Sequence, residues 1–97
     1  MPTYEWDESF AHDLKRLAAV QRAAFEAAVA AFVEDLRAGR GFRKSLRVKR
    51  VQGHRDIYEL TWAPDGRATW KYGDAQRDGE PHILWRRVGT HKIFDRP

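Results

Sequence analysis

The hydrophobic pattern of this chain changes its period once, near residue 40. Before that point apolar residues recur every three or four positions, which is typical of helices, and after it they alternate every second position, which is typical of half-buried strands. A chain of 97 residues has room for about one small domain, so the predicted domain is 1–97. The helices and the strands must then bury each other, which predicts an α+β fold.

The first part of the chain is predicted to form a helical hairpin. Asp7 can cap the first helix, whose apolar residues are Phe10, Leu14, Leu17 and Ala18. The second helix is alanine-rich, and its apolar stripe consists of Phe25, Val29, Phe32, Val33 and Leu36. It is predicted to end at Gly39 and Gly41, because glycine readily adopts the left-handed conformation that closes helices. Two helices joined by a few residues lie side by side, and their apolar stripes need a flat partner.

The strands supply that partner. A short strand is predicted at 3–6, and four more follow the helices, the first of them opening at Leu46. Turns are predicted at 52–54 and 64–66 from their glycine and proline content. The expected architecture is two N-terminal helices packed on one face of a mainly antiparallel, four- to five-stranded sheet. Alternation gives this sheet one polar face, which contains Glu59, Thr61, Arg67, Thr69 and Lys71.

Charge and composition limit the function classes. Residues 1–40 carry five Lys/Arg against seven Asp/Glu, whereas residues 41–97 carry thirteen against seven, a net charge of +6. A one-sided basic surface favours RNA, DNA or an acidic protein as partner, and simple solubility is the alternative. The chain has no cysteine, which fits a reducing compartment and removes thiol chemistry. No apolar run resembles a signal peptide or membrane span, so a cytoplasmic protein without membrane contact is expected.

Several segments, taken in order, resemble the RelE/ParE superfamily of bacterial type II toxins. They are the helical hairpin, then LRVKRVQGHRDIYELTW, then DGRATWKY, then HILWRRVGTHKIF. The most telling pieces are Gly53 before a Tyr-Glu-Leu strand, an arginine that opens the next strand, and a Gly-x-His-x-x-Phe ending. The resemblance covers nearly the whole chain.

The resemblance implies the toxin component of a type II toxin-antitoxin system, a ribosome-dependent mRNA endoribonuclease that inhibits translation. Such enzymes cleave RNA through attack by the substrate's own 2′-OH, so no metal and no cofactor is expected. They need a base, an acid and positive groups near the scissile phosphate. The four histidines also show no metal-binding spacing. The implied partners are ribosome, mRNA and a cognate antitoxin, a small acidic protein. The alternative is a non-catalytic or ParE-like binding protein of the same fold, acting on gyrase, RNA or a protein.

Four residues are candidates for catalysis in this family context. Arg67 matches the phosphate-contacting arginine, although it can also form a cross-strand pair with Glu59. Glu59 is the candidate general base, or else an anchor for neighbouring arginines. His91 is the candidate general acid, because imidazole donates a proton near neutral pH. Arg86 and Arg87 are expected on opposite faces of one strand, and Arg87 is preferred as the one that reaches the site.

Other residues are predicted to bind RNA. Four residues that flank a turn at the sheet edge can hold RNA or ribosome backbone or protect an edge strand from aggregation: Lys49, Arg50, His54 and Arg55. The predicted set is completed by Lys71, Arg86 and Phe94. An alanine-rich back on helix two permits a homodimer, but alanine is also simply a good helix former.

Two positions depart from the family pattern. Many RelE-like nucleases have paired lysines where this chain has Glu59 and Thr61. They also have a terminal tyrosine where this chain has Phe94. Phenylalanine can stack on a base but cannot transfer a proton.

Overall fold

The computed structural model describes residues 2–97 and contains the helices and strands in the predicted order. The two α-helices are α1 (Glu8–Arg16) and α2 (Ala19–Ala38). The five strands are β1 (Thr3–Trp6), β2 (Lys49–Arg50), β3 (Tyr58–Ala63), β4 (Gly66–Gly73) and β5 (His82–Thr90). Two short 3-10 helices span Lys44–Leu46 and His91–Asp95, and we call the second one the C-terminal 3-10 helix.

The strands form one five-stranded sheet in the order β1-β5-β4-β3-β2. Strand β1 runs parallel to β5, and the other neighbouring pairs are antiparallel. Both helices pack on one side, which we call the helix face. The predicted α+β architecture with a mainly antiparallel sheet is therefore confirmed, and β5 lies inside the sheet as its apolar content indicated.

Each helix begins and ends as its sequence suggests. Asp7 caps α1 by accepting a hydrogen bond from the Phe10 N–H at 3.0 Å. Helix α2 ends at Gly39, whose φ of 68° is left-handed. No helix among residues 2–97 is long and apolar enough to cross a membrane.

A row of large side chains crosses the whole sheet on the helix face. The register places side by side, one from each strand, Trp6, Trp85, Trp70, Tyr58 and Arg50. Helix α2 packs Phe32 onto the middle of this row, with ring centroids 4.9 Å from Trp70 and 5.3 Å from Trp85. Trp70 and Phe32 are fully buried, so the centre of the row is the core of the protein.

The strand predicted from Leu46 is wrong in its first part. Leu46 ends the first 3-10 helix and is buried in the core. Arg47 then adopts a left-handed conformation with φ of 48°, which turns the chain before Lys49–Arg50 pair with β3. A buried residue followed by a short strand produced the same alternation as a longer strand.

The turn between β3 and β4 is fixed by the packing of Trp62. Only Pro64 and Asp65 separate the two strands. Gly66 follows, and a Cβ atom there would lie 2.5 Å from the Trp62 ring, so only glycine fits. The Trp62 Nε1–H donates to the Arg67 carbonyl oxygen at 2.9 Å. This packing holds Asp65 and Arg67 in defined positions at one end of the sheet.

Candidate active site on the polar sheet face

The sheet face opposite the helices carries the polar residues predicted from alternation. Strands β3 and β4 pair Glu59 with Thr69 and Thr61 with Arg67. Lys49 on β2 lies opposite Glu59. This polar face comprises Lys49, Glu59, Thr61, Arg67, Thr69 and Lys71, which agrees with the predicted set and adds Lys49.

The C-terminal 3-10 helix lies over part of the polar face. Gly89 is the register partner of Arg67, and a Cβ atom on Gly89 would lie 3.1 Å from the Ile93 Cγ2 atom. Ile93 is buried at this contact, and Thr69 in the neighbouring strand is completely buried. The face is therefore less open than alternation alone suggested.

His91 and Asp65 meet at the edge of this face. The His91 Nδ1 atom lies 2.6 Å from the Asp65 Oδ1 atom. The register that places Gly66 opposite Thr90 brings the β3–β4 turn beside the start of the C-terminal 3-10 helix. The hydrogen bond with His91 lowers the pKa of Asp65 below its ordinary value. An Nδ1–H donated to this carboxylate leaves the Nε2 atom of the exposed imidazole available for a substrate.

Arg67 is held at the same turn by backbone carbonyl groups. Its Nη1 donates to the carbonyl oxygens of Ala63, Pro64 and Gly66 at 3.3, 3.3 and 2.9 Å. The expected alternative, a cross-strand ion pair with Glu59, is not formed within 4.0 Å among the residues that the structure describes. The Nε and Nη2 atoms of Arg67 make no hydrogen bond to residues 2–97. They are the edge of the guanidinium that can bind two oxygens of a phosphate.

Glu59 lies under the polar face and is only 7% exposed. Its carboxylate makes no hydrogen bond or ion pair within residues 2–97. Burial raises its pKa, while the positive charges of Lys49 and Arg67 partly oppose that shift. A carboxylate with a raised pKa beside an arginine has the properties of a general base.

Comparisons with known proteins identify the fold. No protein-family model matches the sequence, and a search of curated proteins gives no match. A chain of the E. coli DinJ-YafQ toxin-antitoxin complex matches with 17% identity, over 95% of this chain and 94% of its own, at a TM-score of 0.67. The YoeB/ParE toxin from Agrobacterium tumefaciens matches with 9% identity, over 92% of this chain and 98% of its own, at a TM-score of 0.65. A chain of the RelB-RelE antitoxin-toxin complex from Methanococcus jannaschii matches with 19% identity, over 95% of this chain and 96% of its own, at a TM-score of 0.59. This chain has the RelE/ParE toxin fold.

Two adjacent arginines take different partners in this RelE/ParE toxin fold. Arg87 binds Asp13 of α1 through Nε at 2.6 Å and Nη2 at 3.1 Å. This hydrogen bond raises the pKa of Arg87. Arg86 donates instead to the Pro97 carbonyl oxygen. The register between β4 and β5 skips Arg86, as at a β-bulge, so the expected placement on opposite faces does not apply. The guanidinium of Arg87 is not brought to Arg67 and His91.

The other predicted RNA-binding residues are dispersed around the sheet. Lys49 and Lys71 lie on the polar face. Arg50 is on the helix face, with its Cζ atom 5.9 Å from the centre of the Tyr58 ring. Arg55 is exposed in the loop between β2 and β3, and Phe94 is half-buried in the C-terminal 3-10 helix. A nucleic acid that contacts all of them must follow the β2 edge as well as the polar face.

Sequence reasoning missed Asp65 and Asp13 as partners of candidate residues. The Pro64-Asp65-Gly66 segment was interpreted only as a turn. A register with Gly66 opposite Thr90 places Asp65 beside His91. The sequence predicted that β4 and β5 are strands, but it did not determine which residues of the two strands lie opposite each other. No group of three or more metal-ligating side chains is found close together in residues 2–97.

Proposed function

We propose that this chain is the toxin of a toxin-antitoxin pair and that it cleaves mRNA on the ribosome. The observation that carries the proposal is the grouping of Arg67 and the Asp65–His91 pair at one turn of a RelE/ParE-type fold, with Glu59 farther along β3 on the same sheet face. The Nδ1–Oδ1 distance of 2.6 Å in that pair and the two unused donor nitrogens of Arg67 support it. These groups provide an acid, a base and a phosphate ligand on one face of the sheet.

Arg67 binds the scissile phosphate in this proposal. The substrate 2′-oxygen attacks phosphorus, the bond from phosphorus to the 5′-oxygen breaks, and a 2′,3′-cyclic phosphate and a free 5′-hydroxyl result. Negative charge increases on the non-bridging oxygens as the new bond forms. A guanidinium that is already fixed by three carbonyl groups stabilises that charge without reorganising.

Glu59 and His91 transfer the two protons. Glu59 takes the proton of the 2′-hydroxyl, a role suited to a carboxylate whose pKa is raised by burial. His91 donates a proton from Nε2 to the leaving 5′-oxygen. Asp65 holds the imidazole through Nδ1 and so directs Nε2 away from the turn.

The basic half of the chain recruits the substrate. Residues 41–97 carry a net charge of +6. The polar face contains Lys49 and Lys71, and the loop between β2 and β3 contains Arg55. Contacts of this kind bind RNA backbone in a salt-dependent way. Two of the matched structures are complexes with the antitoxins DinJ and RelB. We extend this to a small acidic antitoxin as partner and to the cytoplasm as the site of action.

The test is expression of the chain alone in a bacterial host, together with cleavage of mRNA on purified ribosomes. Arg67→Ala and His91→Ala are expected to restore growth and to lower the cleavage rate by about 10²–10⁴-fold, the usual contribution of such groups. The matched controls are Arg77→Ala and His12→Ala, which remove an exposed arginine from the β4–β5 loop and an exposed histidine from α1. They should remain toxic.

Two outcomes would contradict the proposal. Toxicity that survives both Arg67→Ala and His91→Ala would indicate a different target, as in a ParE-like protein that acts on gyrase. Normal growth and intact mRNA with folded, soluble wild-type protein would indicate a non-catalytic binding protein. Melting curves of all variants separate loss of chemistry from loss of folding.

A further inference from the structure

The C-terminal 3-10 helix is attached to the sheet at three places. At its beginning the Thr90 hydroxyl accepts a hydrogen bond from the Lys92 N–H at 3.3 Å. In its middle Ile93 is buried against Gly89. At its far end the chain is held by Arg86 and Arg87.

The attachment at the far end uses backbone carbonyl groups. Arg86 donates through Nε and Nη2 to the Pro97 carbonyl oxygen at 3.3 and 3.2 Å. Arg87 donates through Nη1 to the Arg96 carbonyl oxygen at 3.1 Å. The Arg96 N–H in turn donates to the Ile93 carbonyl oxygen at 3.0 Å. Pro97 is also buried. The segment that follows the helix is therefore held both by burial and by two neighbouring guanidinium groups.

This far end matters because His91 is the first residue of the same helix. The helix has five residues, and short 3-10 helices have few and poorly aligned internal hydrogen bonds. The contact of His91 with Asp65 is exposed to water, where such pairs are weak. The orientation of the helix, and with it the imidazole, therefore depends on the anchors elsewhere.

We propose that Arg86 is a positioning residue that keeps the His91 imidazole against Asp65 by fixing the far end of the C-terminal 3-10 helix. This rests on the proposed function for its consequence in cleavage. It assigns Arg86 to a contact within the protein itself instead of to RNA, which its charge alone had suggested. Among residues 2–97 no Asp or Glu side chain pairs with Arg86 within 4.0 Å, so its guanidinium is available for the main-chain oxygen of Pro97.

Arg87 is less suited to the test, although it contacts the same segment. Its guanidinium is bound to Asp13, which is 8% exposed. Removing Arg87 would leave a buried carboxylate unpaired and destabilise the whole fold. Removing Arg86 takes away its two hydrogen bonds to Pro97 and breaks no ion pair with an Asp or Glu side chain among residues 2–97.

The experiment compares Arg86→Ala and Arg86→Lys with the wild type and with the control Arg96→Ala, and it uses Asp65→Asn as the reference for a His91 imidazole without its carboxylate partner. The control removes an exposed arginine side chain but leaves the Arg96 carbonyl oxygen in place. Amide hydrogen exchange at Lys92 and Arg96, and the imidazole nitrogen signals of His91 in NMR spectra, report the anchoring. Ribosome-dependent cleavage reports its consequence, with kcat and KM measured separately.

Arg86→Ala is expected to speed exchange of the Arg96 amide about ten-fold or more. It should also shift the His91 signals toward those of Asp65→Asn. In cleavage it should lower kcat about ten- to hundred-fold, as small displacements of a catalytic group do, and leave KM within about two-fold of the wild type. Arg86→Lys should fall between Arg86→Ala and the wild type, and Arg96→Ala should match the wild type.

Two results would overturn the inference. Unchanged His91 signals in Arg86→Ala would show that Arg86 does not hold the imidazole. A raised KM, unchanged kcat and a weaker salt dependence of RNA binding would make Arg86 an RNA contact. If the wild type cleaves no RNA, the proposed function fails, and the exchange rates and imidazole signals still decide whether Arg86 holds His91 against Asp65.

Discussion

The two faces of the sheet are built on opposite principles. On the helix face the row through Trp85, Trp70 and Tyr58 is covered by Phe32, and its centre is fully buried. On the polar face Glu59 is 7% exposed without a partner, and the Thr69 hydroxyl is buried without a hydrogen bond in the described chain. Burial stabilises the first set through its large rings, although the indole N–H of Trp70 has no partner in residues 2–97, whereas it imposes a desolvation cost on the second.

This difference indicates how stability and function are divided. Polar groups without partners are retained at a cost of about 1–3 kcal/mol each, and such costs are typical of functional sites. Substitutions on the helix face should therefore reduce stability. Substitutions on the polar face should reduce activity and leave stability unchanged or improved.

Trp70→Ala tests the helix face and has the largest expected effect. It should lower the free energy of unfolding by about 3–5 kcal/mol, since the indole is fully buried and contacts rings on both sides. Denaturant unfolding measures this. Trp70→Phe should cost much less, because it keeps most of the ring and removes an indole N–H that has no partner in residues 2–97. Equal losses in the two variants would contradict this account of the row.

Asp13→Asn tests the boundary where the two faces meet, because Asp13 joins α1 to β5 through Arg87. Asp13 also accepts the Val88 N–H at 3.2 Å. The variant should lower the free energy of unfolding by about 2–3 kcal/mol, since Arg87 is left partly buried without its counter-ion. Denaturant unfolding measures the loss. Glu34→Gln, at an exposed surface pair, is the matched control and should be nearly neutral.

Much of the fold could be predicted because its signals are local. The Asp7 cap, the stripe through Phe25 and Phe32, and the glycine end of α2 are set by residues a few positions apart. The composition of the polar face also followed from alternation, since a strand places every second residue on one face. Leu46 shows where this prediction from local patterns fails, because a single apolar residue does not distinguish a strand from a buried residue in a 3-10 helix.

The site could be predicted only in part, because its geometry depends on distant contacts. Arg67, Glu59 and His91 were chosen from family resemblance. Asp65 meets His91 across 26 positions, and Asp13 meets Arg87 across 74. Neither contact has a periodic signature in sequence.

Glu59→Gln tests the buried carboxylate of the polar face. The pKa of Glu59 is raised in the folded protein, so folding favours the protonated form. Wild-type stability from this group is fully present below the ordinary glutamate pKa and is lost as pH rises through the raised value. The variant should therefore be more stable than the wild type at pH 7. This difference should disappear in acid, as unfolding at several pH values would show.

The cleavage rate of Glu59→Gln sharpens the comparison of the faces. A glutamine cannot accept the 2′-hydroxyl proton, so activity should fall while stability rises. A variant that is both less stable and fully active would show that Glu59 serves the fold.

Thr69→Val tests the unpartnered hydroxyl in the same way. Valine has nearly the shape of threonine and suits a strand, so the variant should be more stable by about 0.5–1 kcal/mol. Thermal unfolding measures the gain. Thr61→Val, at a half-exposed position of the same face, is the control and should change little. A loss of stability in Thr69→Val would reveal that the hydroxyl has a partner, such as a buried water or protonated Glu59.

Asp65→Asn is expected to have the smallest effect on stability and a large one on activity. Both side chains of the pair are more than half exposed, so the melting temperature should not change measurably. Asparagine can still meet His91, but it removes the charge and can favour the other imidazole tautomer, which misdirects Nε2. The cleavage rate should therefore fall while RNA binding is kept, as steady-state kinetics and binding of a 2′-deoxy substrate would show. Full activity of this variant would mean that the contact of His91 with Asp65 does not matter for cleavage, and the polar face would then owe its function to Arg67 and Glu59.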